Sequence, residues 1–267
     1  MFLAACSGVD TEVVEEKDPT AEEFYAEGKR KLEDGFYKTA IEKFEEIERL
    51  YPFSPLATKA QVMIAYSYYK NEDFDDAIML IDKFIRLNPG NADIAYVYYL
   101  KALCFYDRIS DIKRDQELSR QALISLKEVI KRFPDSEYSR DSKLKIDLVT
   151  DHLAGKEMEI GRFYLKDKKY IAAINRFKSV VEKYDTTSQV EEALYRLTES
   201  YLSLGLIDEA QKSASILGYN YPNSKWYKYA YRLVGEGKNS PKPLKKKSWF
   251  KKMISKVKEE EEEEKEE

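Results

Sequence analysis

An alanine that recurs in one local context is the feature that most constrains how this chain can fold. It is followed by an aliphatic residue in four copies and by glutamine in a degenerate fifth copy. The five pairs are Ala40-Ile41, Ala77-Ile78, Ala122-Leu123, Ala173-Ile174 and Ala210-Gln211. Successive alanines lie 37, 45, 51 and 37 residues apart. Self-similarity at such a period indicates an array of stacked structural units.

The residues around each alanine indicate what the unit is. Four copies carry an apolar residue four positions later: Phe44, Ile81, Leu126 and Phe177. The segments then end on aromatic residues or prolines: Tyr51-Pro52, Asn88-Pro89, Phe133-Pro134, Tyr184 and Tyr221-Pro222. A period slightly above about 34 residues is typical of the tetratricopeptide (TPR) unit. The sequence therefore predicts an all-α superhelical solenoid of five tetratricopeptide-like helix–turn–helix repeats with a C-terminal helix.

Counting back from each alanine, taken as position 20 of its repeat, tests this prediction. Position 8 is where the two helices approach most closely, and every copy has a small residue there: Gly28, Ala65, Ala102, Gly161 and Thr198. The first helix of the third copy is placed from Pro89, because extra residues around Asp107 to Asp115 lengthen its loop. A larger side chain at position 8 would push the helices apart and open cavities.

The repeats divide the chain into four predicted segments. Residues 1–20 form a lipobox and a disordered tether, 21–135 hold repeats 1–3, 136–234 hold repeats 4–5 and a capping helix, and 235–267 form a disordered tail. Residues 137 to about 166 contain no proline, which predicts one long rigid helix joining the two halves. The tail is basic and amphipathic and then acidic, so it is either an interfacial helix or a solvated segment.

Motifs for catalysis or cofactor binding are missing from the sequence. His152 is the single histidine, and there is no glycine-rich phosphate loop, no Gly-x-Ser-x-Gly elbow and no metal-ligand cluster. We therefore expect no enzyme activity, no cofactor and no metal. A net charge of −4 does not favour nucleic acid as a partner, and no apolar run is long enough to cross a bilayer. Cys104 is expected to be a buried thiol without a disulfide.

The chain has 21 tyrosines against 12 phenylalanines, and part of this excess falls at particular repeat positions. Positions 2, 5, 9 and 12 of each first helix face the concave side of a TPR array. They hold Tyr25, Tyr66, Tyr69, Tyr96, Tyr99, Tyr106 and Tyr195. A tyrosine ring offers a large contact area at low entropic cost while its hydroxyl stays hydrated. The tyrosines could simply cover core edges, but their clustering in repeats 2 and 3 favours a peptide-binding groove, lined by the six from Tyr25 to Tyr106.

The first residues resemble a lipid attachment signal. Leu3-Ala4-Ala5-Cys6 has the form of a bacterial lipobox, in which Cys6 becomes the lipidated residue. Burial of an acyl chain in a bilayer contributes about 0.8 kcal/mol of binding free energy per methylene, so several chains hold a protein on the membrane. Only five residues precede Cys6, without the charged and apolar regions of a signal peptide. Either the true start lies upstream or the protein is not exported.

Four stretches give the chain a closer resemblance than the repeat alone. They are Tyr51 to Pro55, Tyr66 to Asn71, Ile81 to Pro89, and Asp151 to Tyr164. With the five-repeat layout, they make residues 21 to about 234 similar to the BamD family. Members of that family are TPR lipoproteins of the machinery that inserts β-barrel proteins into the Gram-negative outer membrane.

The resemblance implies a scaffold on the periplasmic face of the outer membrane, anchored by lipid on Cys6. Its N-terminal repeats would recognise the C-terminal strand of unfolded outer-membrane proteins. Its C-terminal repeats would meet the partner subunits, namely the POTRA domains of a BamA-like barrel protein and other assembly-machinery lipoproteins. Two other classes stay open on the residues alone: a periplasmic TPR adaptor of cell-wall or division machinery, or a cytosolic TPR adaptor if Met1 is the true start.

Overall fold

The computed structural model describes residues 19–109 and 116–235. The predicted lipobox with Cys6, nearly all of the predicted tether, loop residues 110–115 and the tail from 236 onward lie outside the described residues. The described ranges contain helices and no strand. The helices are α1 (Ala21–Glu33), α2 (Tyr37–Leu50), α3 (Pro55–Lys70), α4 (Phe74–Leu87), α5 (Ile94–Tyr106), α6 (Glu117–Arg132), α7 (Glu137–Lys166), α8 (Tyr170–Lys183), α9 (Val190–Ser203), α10 (Ile207–Asn220) and α11 (Lys225–Gly235). The predicted all-α TPR-type fold is confirmed.

The chain divides into two compact units, Met1–Cys104 and Phe105–Glu267. The described part of unit 1 contains α1 to α4 and nearly all of α5, and that of unit 2 contains α6 to α11. The four segment boundaries expected from the sequence stay predictions.

In unit 1 the helices pack in chain order, α1 on α2, α2 on α3 and α3 on α4, and α1 also contacts α3. One buried cluster surrounds Phe44 and Ile47, and a second surrounds Ile81 and Leu100. The start of α1 is fixed by a capping box, because the Thr20 side chain accepts from the Glu23 amide while the Glu23 carboxylate accepts from the Thr20 amide. Such caps satisfy amides that the first helical turn leaves unpaired.

Unit 2 has the same helix-pair construction, with α6 to α10 packed in order and α11 lying against both α9 and α10. Its core contains Met158, Phe177, Leu194 and Leu217. The long helix predicted from the sequence is confirmed as α7, and the side chain of Ser136 caps its N-terminus.

The predicted repeat numbering is confirmed by burial. All five alanines at position 20 have no exposed surface, and neither do the four apolar residues that follow them at position 24. The small residues at position 8 are buried in every repeat. At Gly28 an added Cβ would lie 2.7 Å from Cε1 of Phe44, so position 8 is small because the residue at position 24 occupies the space above it. Cys104 is a buried thiol outside any disulfide, as expected.

Candidate peptide-binding site

In unit 1, one predicted groove tyrosine, Tyr66, contacts two others. Tyr66 and Tyr69 lie one turn apart on α3, with ring centroids 6.1 Å apart and planes inclined by 29°. Tyr96 of α5 lies 6.5 Å from Tyr66. We call Tyr66, Tyr69 and Tyr96 the tyrosine cluster. The sequence predicted that these residues share a face, and the structure adds that they are in ring contact across two repeats.

The helices explain why the cluster is partly open. Residues such as Val62 and Ala65 on α3, and Val97 and Leu100 on α5, are buried in the second core cluster of unit 1. The three tyrosines pack against the edge of this cluster and are half-buried. Tyr69 also meets Phe74 edge-on at 5.9 Å. Rings held in this way are ordered before any ligand arrives, which lowers the entropic cost of binding.

Tyr25 of α1 belongs to the same unit but lies against its first core cluster. Its ring meets Phe44 edge-on at 5.5 Å. Burial, and secondarily the carboxylate of Asp93, raises the pKa of the Tyr25 hydroxyl above its ordinary value. Tyr25 is therefore a neutral phenol at physiological pH, able to donate a hydrogen bond as well as accept one.

The other two predicted groove tyrosines are placed differently. Tyr99 lies on α5 within unit 1 and is half-buried. Tyr106 belongs to unit 2, where the Lys145 ammonium lies 5.2 Å from its ring centroid. Tyr106 also lines a largely apolar cavity of about 380 Å³ with Leu148 and His152. The structure thus brings together three of the six predicted groove residues in direct contact and places five of the six in unit 1.

Unit 2 carries an aromatic group that sequence reasoning found only in part. Tyr195 of α9 stacks on Trp226 of α11 at 5.4 Å, and Tyr229 meets both rings edge-on at 6.0 and 5.9 Å. The repeat spacing could have predicted the rest of this group. Position 1 of repeat 2 lies seven residues after Tyr51, and position 1 of repeat 5 lies seven residues after Tyr184. Applied after Tyr221, the same count makes α11 the first helix of a sixth repeat and puts Tyr229 at position 2.

A cation lies over this second aromatic group. The Arg196 guanidinium is 5.2 Å from the Tyr195 ring centroid and 5.7 Å from that of Trp226. Ion pairs at 3.2 Å with Glu192 and 2.9 Å with Glu199 fix its position. Burial acts to lower the pKa of Arg196, but hydrogen bonds and charge from these carboxylates outweigh it and the pKa is raised. Arg196 is therefore a permanent, oriented cation at an aromatic surface.

Features that would support other chemistry are sparse in the part of the chain that the structure describes. No group of three or more histidine, cysteine, aspartate or glutamate side chains there could hold a metal ion. None of the described helices combines the length and apolar character needed to cross a bilayer. A polar cavity of about 390 Å³ between α7 and α8 is lined by residues that include the ion pair of Arg176 and Glu157, 3.2 Å apart.

Comparison with known proteins gives consistent matches. The family model described as "YfiO: Outer membrane lipoprotein" matches residues 17–217. The outer membrane protein assembly factor BamD of Caulobacter vibrioides is 43% identical over 96% of this chain and 86% of its own length. BamD of Rickettsia prowazekii is 53% identical over 80% of this chain and 86% of its own length. A thermophilic TPR protein from Thermus thermophilus aligns with a TM-score of 0.38 and 19% identity, over 81% of this chain and all of that one.

Proposed function

Because the chain belongs to the BamD family of outer membrane protein assembly factors, we propose that it binds unfolded outer-membrane proteins as a lipid-anchored scaffold. The proposed anchor is acyl lipid on Cys6, which would hold the protein on the periplasmic face of the outer membrane. The proposed ligand is the C-terminal strand of the substrate, ending in an aromatic residue.

The observation that carries the proposal is the tyrosine cluster of unit 1. Tyr66, Tyr69 and Tyr96 are three half-buried rings, and the Tyr66 ring contacts the other two. Aromatic side chains bind one another with offset or edge-on geometry, so such a surface suits a ligand whose own anchor is aromatic. Tyrosine is also among the residues that carry most of the energy in binding hot spots.

The aromatic and cationic group of unit 2 supports a second part of the proposal. Tyr195, Trp226 and Tyr229 with Arg196 combine ring area with a fixed positive charge, a composition enriched at protein–protein interfaces. We propose this surface as the docking site for the POTRA domains of a BamA-like barrel protein, with other assembly-machinery lipoproteins as further partners. The family matches favour this function over the alternative adaptor functions.

A peptide-binding measurement tests the proposal. The ligand is a fluorescent peptide matching the C-terminal strand of a barrel protein, compared with the same peptide lacking its terminal aromatic residue. Combining Tyr66→Ala, Tyr69→Ala and Tyr96→Ala should weaken binding of the aromatic peptide at least about tenfold, or about 1.4 kcal/mol. The matched control combines Tyr219→Ala and Tyr231→Ala, which remove two exposed tyrosines of unit 2.

The cluster variant should keep its helical circular dichroism and still co-purify with the BamA-like partner. Wild-type affinity in a folded cluster variant would refute the site, and so would equal binding of the two peptides.

A further inference from the structure

The loop between α2 and α3 exposes a phenylalanine almost completely. Phe53 is 99% exposed, more than any other large apolar side chain in the described ranges. Leu50, at the end of α2, is 43% exposed three residues earlier. An isolated exposed apolar residue is common on proteins, so the loop itself has to show whether Phe53 is placed there for folding.

The other repeats provide that comparison, because all five ends have the same loop. The residue after each second helix has φ between −132° and −128° and ψ between 39° and 58°. Its carbonyl accepts from the amide three residues later at 2.9–3.1 Å in every loop. The third loop residue is Phe53 in the first repeat and Gly90, Asp135, Thr186 or Asn223 in the others. The loop therefore forms without an apolar residue at this position, so its geometry does not require Phe53.

The loop is linked to the N-terminal end of the described chain. The Tyr51 hydroxyl donates a hydrogen bond to the Pro19 carbonyl at 2.8 Å. Pro19 follows Cys6 by 13 residues. A chain of that length spans at most about 45 Å when fully extended. A lipid anchor on Cys6 would therefore keep Pro19, and the loop that is hydrogen-bonded to it, within reach of the bilayer surface.

We propose that Phe53, with Leu50 beside it, inserts into the lipid interface of the membrane that holds the Cys6 anchor. This inference rests on the lipid anchor of the proposed function. A single phenylalanine is too weak to bind a bilayer by itself, since even one myristoyl chain binds only marginally. A tether converts the contact into an intramolecular event at high effective concentration, which makes a weak contact sufficient.

The exposed side chains of this loop make the proposed contact an apolar one, since Phe53 and Leu50 carry no charge. The Arg49 guanidinium, four residues before Phe53 in the sequence, donates to the Glu46 carboxylate through Nε at 3.1 Å, so this cation is paired within α2. Insertion should therefore depend little on salt or on the fraction of anionic lipid, because screening acts only on charge. Its consequence is a preferred orientation of unit 1 at the membrane.

The test uses residues 6–267 expressed behind a lipoprotein signal peptide and reconstituted in phosphatidylethanolamine–phosphatidylglycerol vesicles. Phe53→Trp supplies the probe in a background carrying Trp226→Phe and Trp249→Phe. The matched control is Asn223→Trp, at the same loop position in unit 2. We expect the emission of the Phe53→Trp probe to shift to the blue and to lose most of its intensity with lipids brominated near the headgroup. The control probe should stay solvent-like.

Flotation separates the anchor from the contact. If the protein floats with vesicles and Cys6→Ala abolishes flotation, the anchor stands and the fluorescence decides the Phe53 contact. If the protein floats with the vesicles and the Phe53→Trp probe keeps a solvent-like emission, the inference is overturned. A blue shift that appears only when a partner protein is added also overturns it, because the loop then docks on protein. Failure of the wild type to float refutes the anchor and, with it, the membrane contact.

Discussion

A close approach between two helices in unit 2 predicts how one methyl group would change its stability. Gly161 of α7 faces Phe177 of α8, and a Cβ added to Gly161 would lie 2.5 Å from Cε1 of that ring, 2.8 Å from Cδ1 and 2.9 Å from Cζ. Carbon atoms in contact are normally about 3.5–4.0 Å apart. Phe177 has no exposed surface, so its ring cannot turn into solvent to make room. We expect Gly161→Ala to be destabilising.

Two terms of opposite sign set the magnitude. Alanine is favoured over glycine inside a helix by about 1 kcal/mol. Overpacking a well-filled core costs about 1–3 kcal/mol, and a rigid ring contacted at three atoms favours the upper part of that range. The net expectation is a loss of about 1–2 kcal/mol in the free energy of unfolding.

The repeats themselves suggest the compensating change. Positions 8 and 24 hold Gly28 with Phe44 and Gly161 with Phe177, but alanine accompanies a smaller aliphatic residue in repeats 2 and 3. Those pairs are Ala65 with Ile81 and Ala102 with Leu126. Phe177→Leu alone should destabilise by leaving a cavity, at a cost of about 1–2 kcal/mol. In the double variant the new methyl group fills that space, so the loss should fall short of the sum by at least about 1 kcal/mol.

The assay is native-state hydrogen exchange of peptides from α7 and α8, because a repeat array need not unfold in one step. Peptides from unit 1 serve as an internal reference. Gly235→Ala is the matched control, since an added Cβ there meets nothing within 4 Å. Wild-type protection in Gly161→Ala, or strictly additive losses in the double variant, would show that positions 8 and 24 do not share a limited volume.

Two further predictions concern the turns and the tyrosines. Glu72 and Lys168 adopt φ values of 65° and 57° in turns where Gly35 and Gly205 have 80° and 74°, so Glu72→Gly and Lys168→Gly should each stabilise by about 0.5–1 kcal/mol. Thermal unfolding checks this, with Gly35→Ala expected to lower the midpoint, and unchanged midpoints would count against strain in these turns. Burial raises the pKa of the Tyr201 hydroxyl despite the opposing charge of Lys178. The folded state therefore prefers the neutral phenol, and stability that is complete below the unfolded pKa of about 10 should be lost as pH rises through the folded pKa. Tyr201→Phe should flatten this alkaline loss in unfolding measurements, and an unchanged slope would contradict the assignment.

The helix-pair architecture and the core follow from the repeat pattern alone. A repeat fixes which residues face each other, so Ala40 and Phe44 and their equivalents, the small residues at position 8 and the bounds of α7 were all predictable. Helical periodicity also placed Tyr66 and Tyr69 on one face of α3. These features depend on spacing along one helix or between two consecutive helices, which the sequence contains directly.

Which side chains meet, and which stay exposed, depends instead on how successive repeats pack. The contact of Tyr66 with Tyr96, the stacking of Tyr195 on Trp226 and the link from Tyr51 to Pro19 join residues 30, 31 and 32 positions apart. Such contacts depend on how the helices within and between repeats are oriented and on side-chain rotamers, which are set by packing rather than by sequence period. The sequence does not predict the exposure of Phe53, because an aromatic residue beside a proline is compatible with a core position or with a surface position.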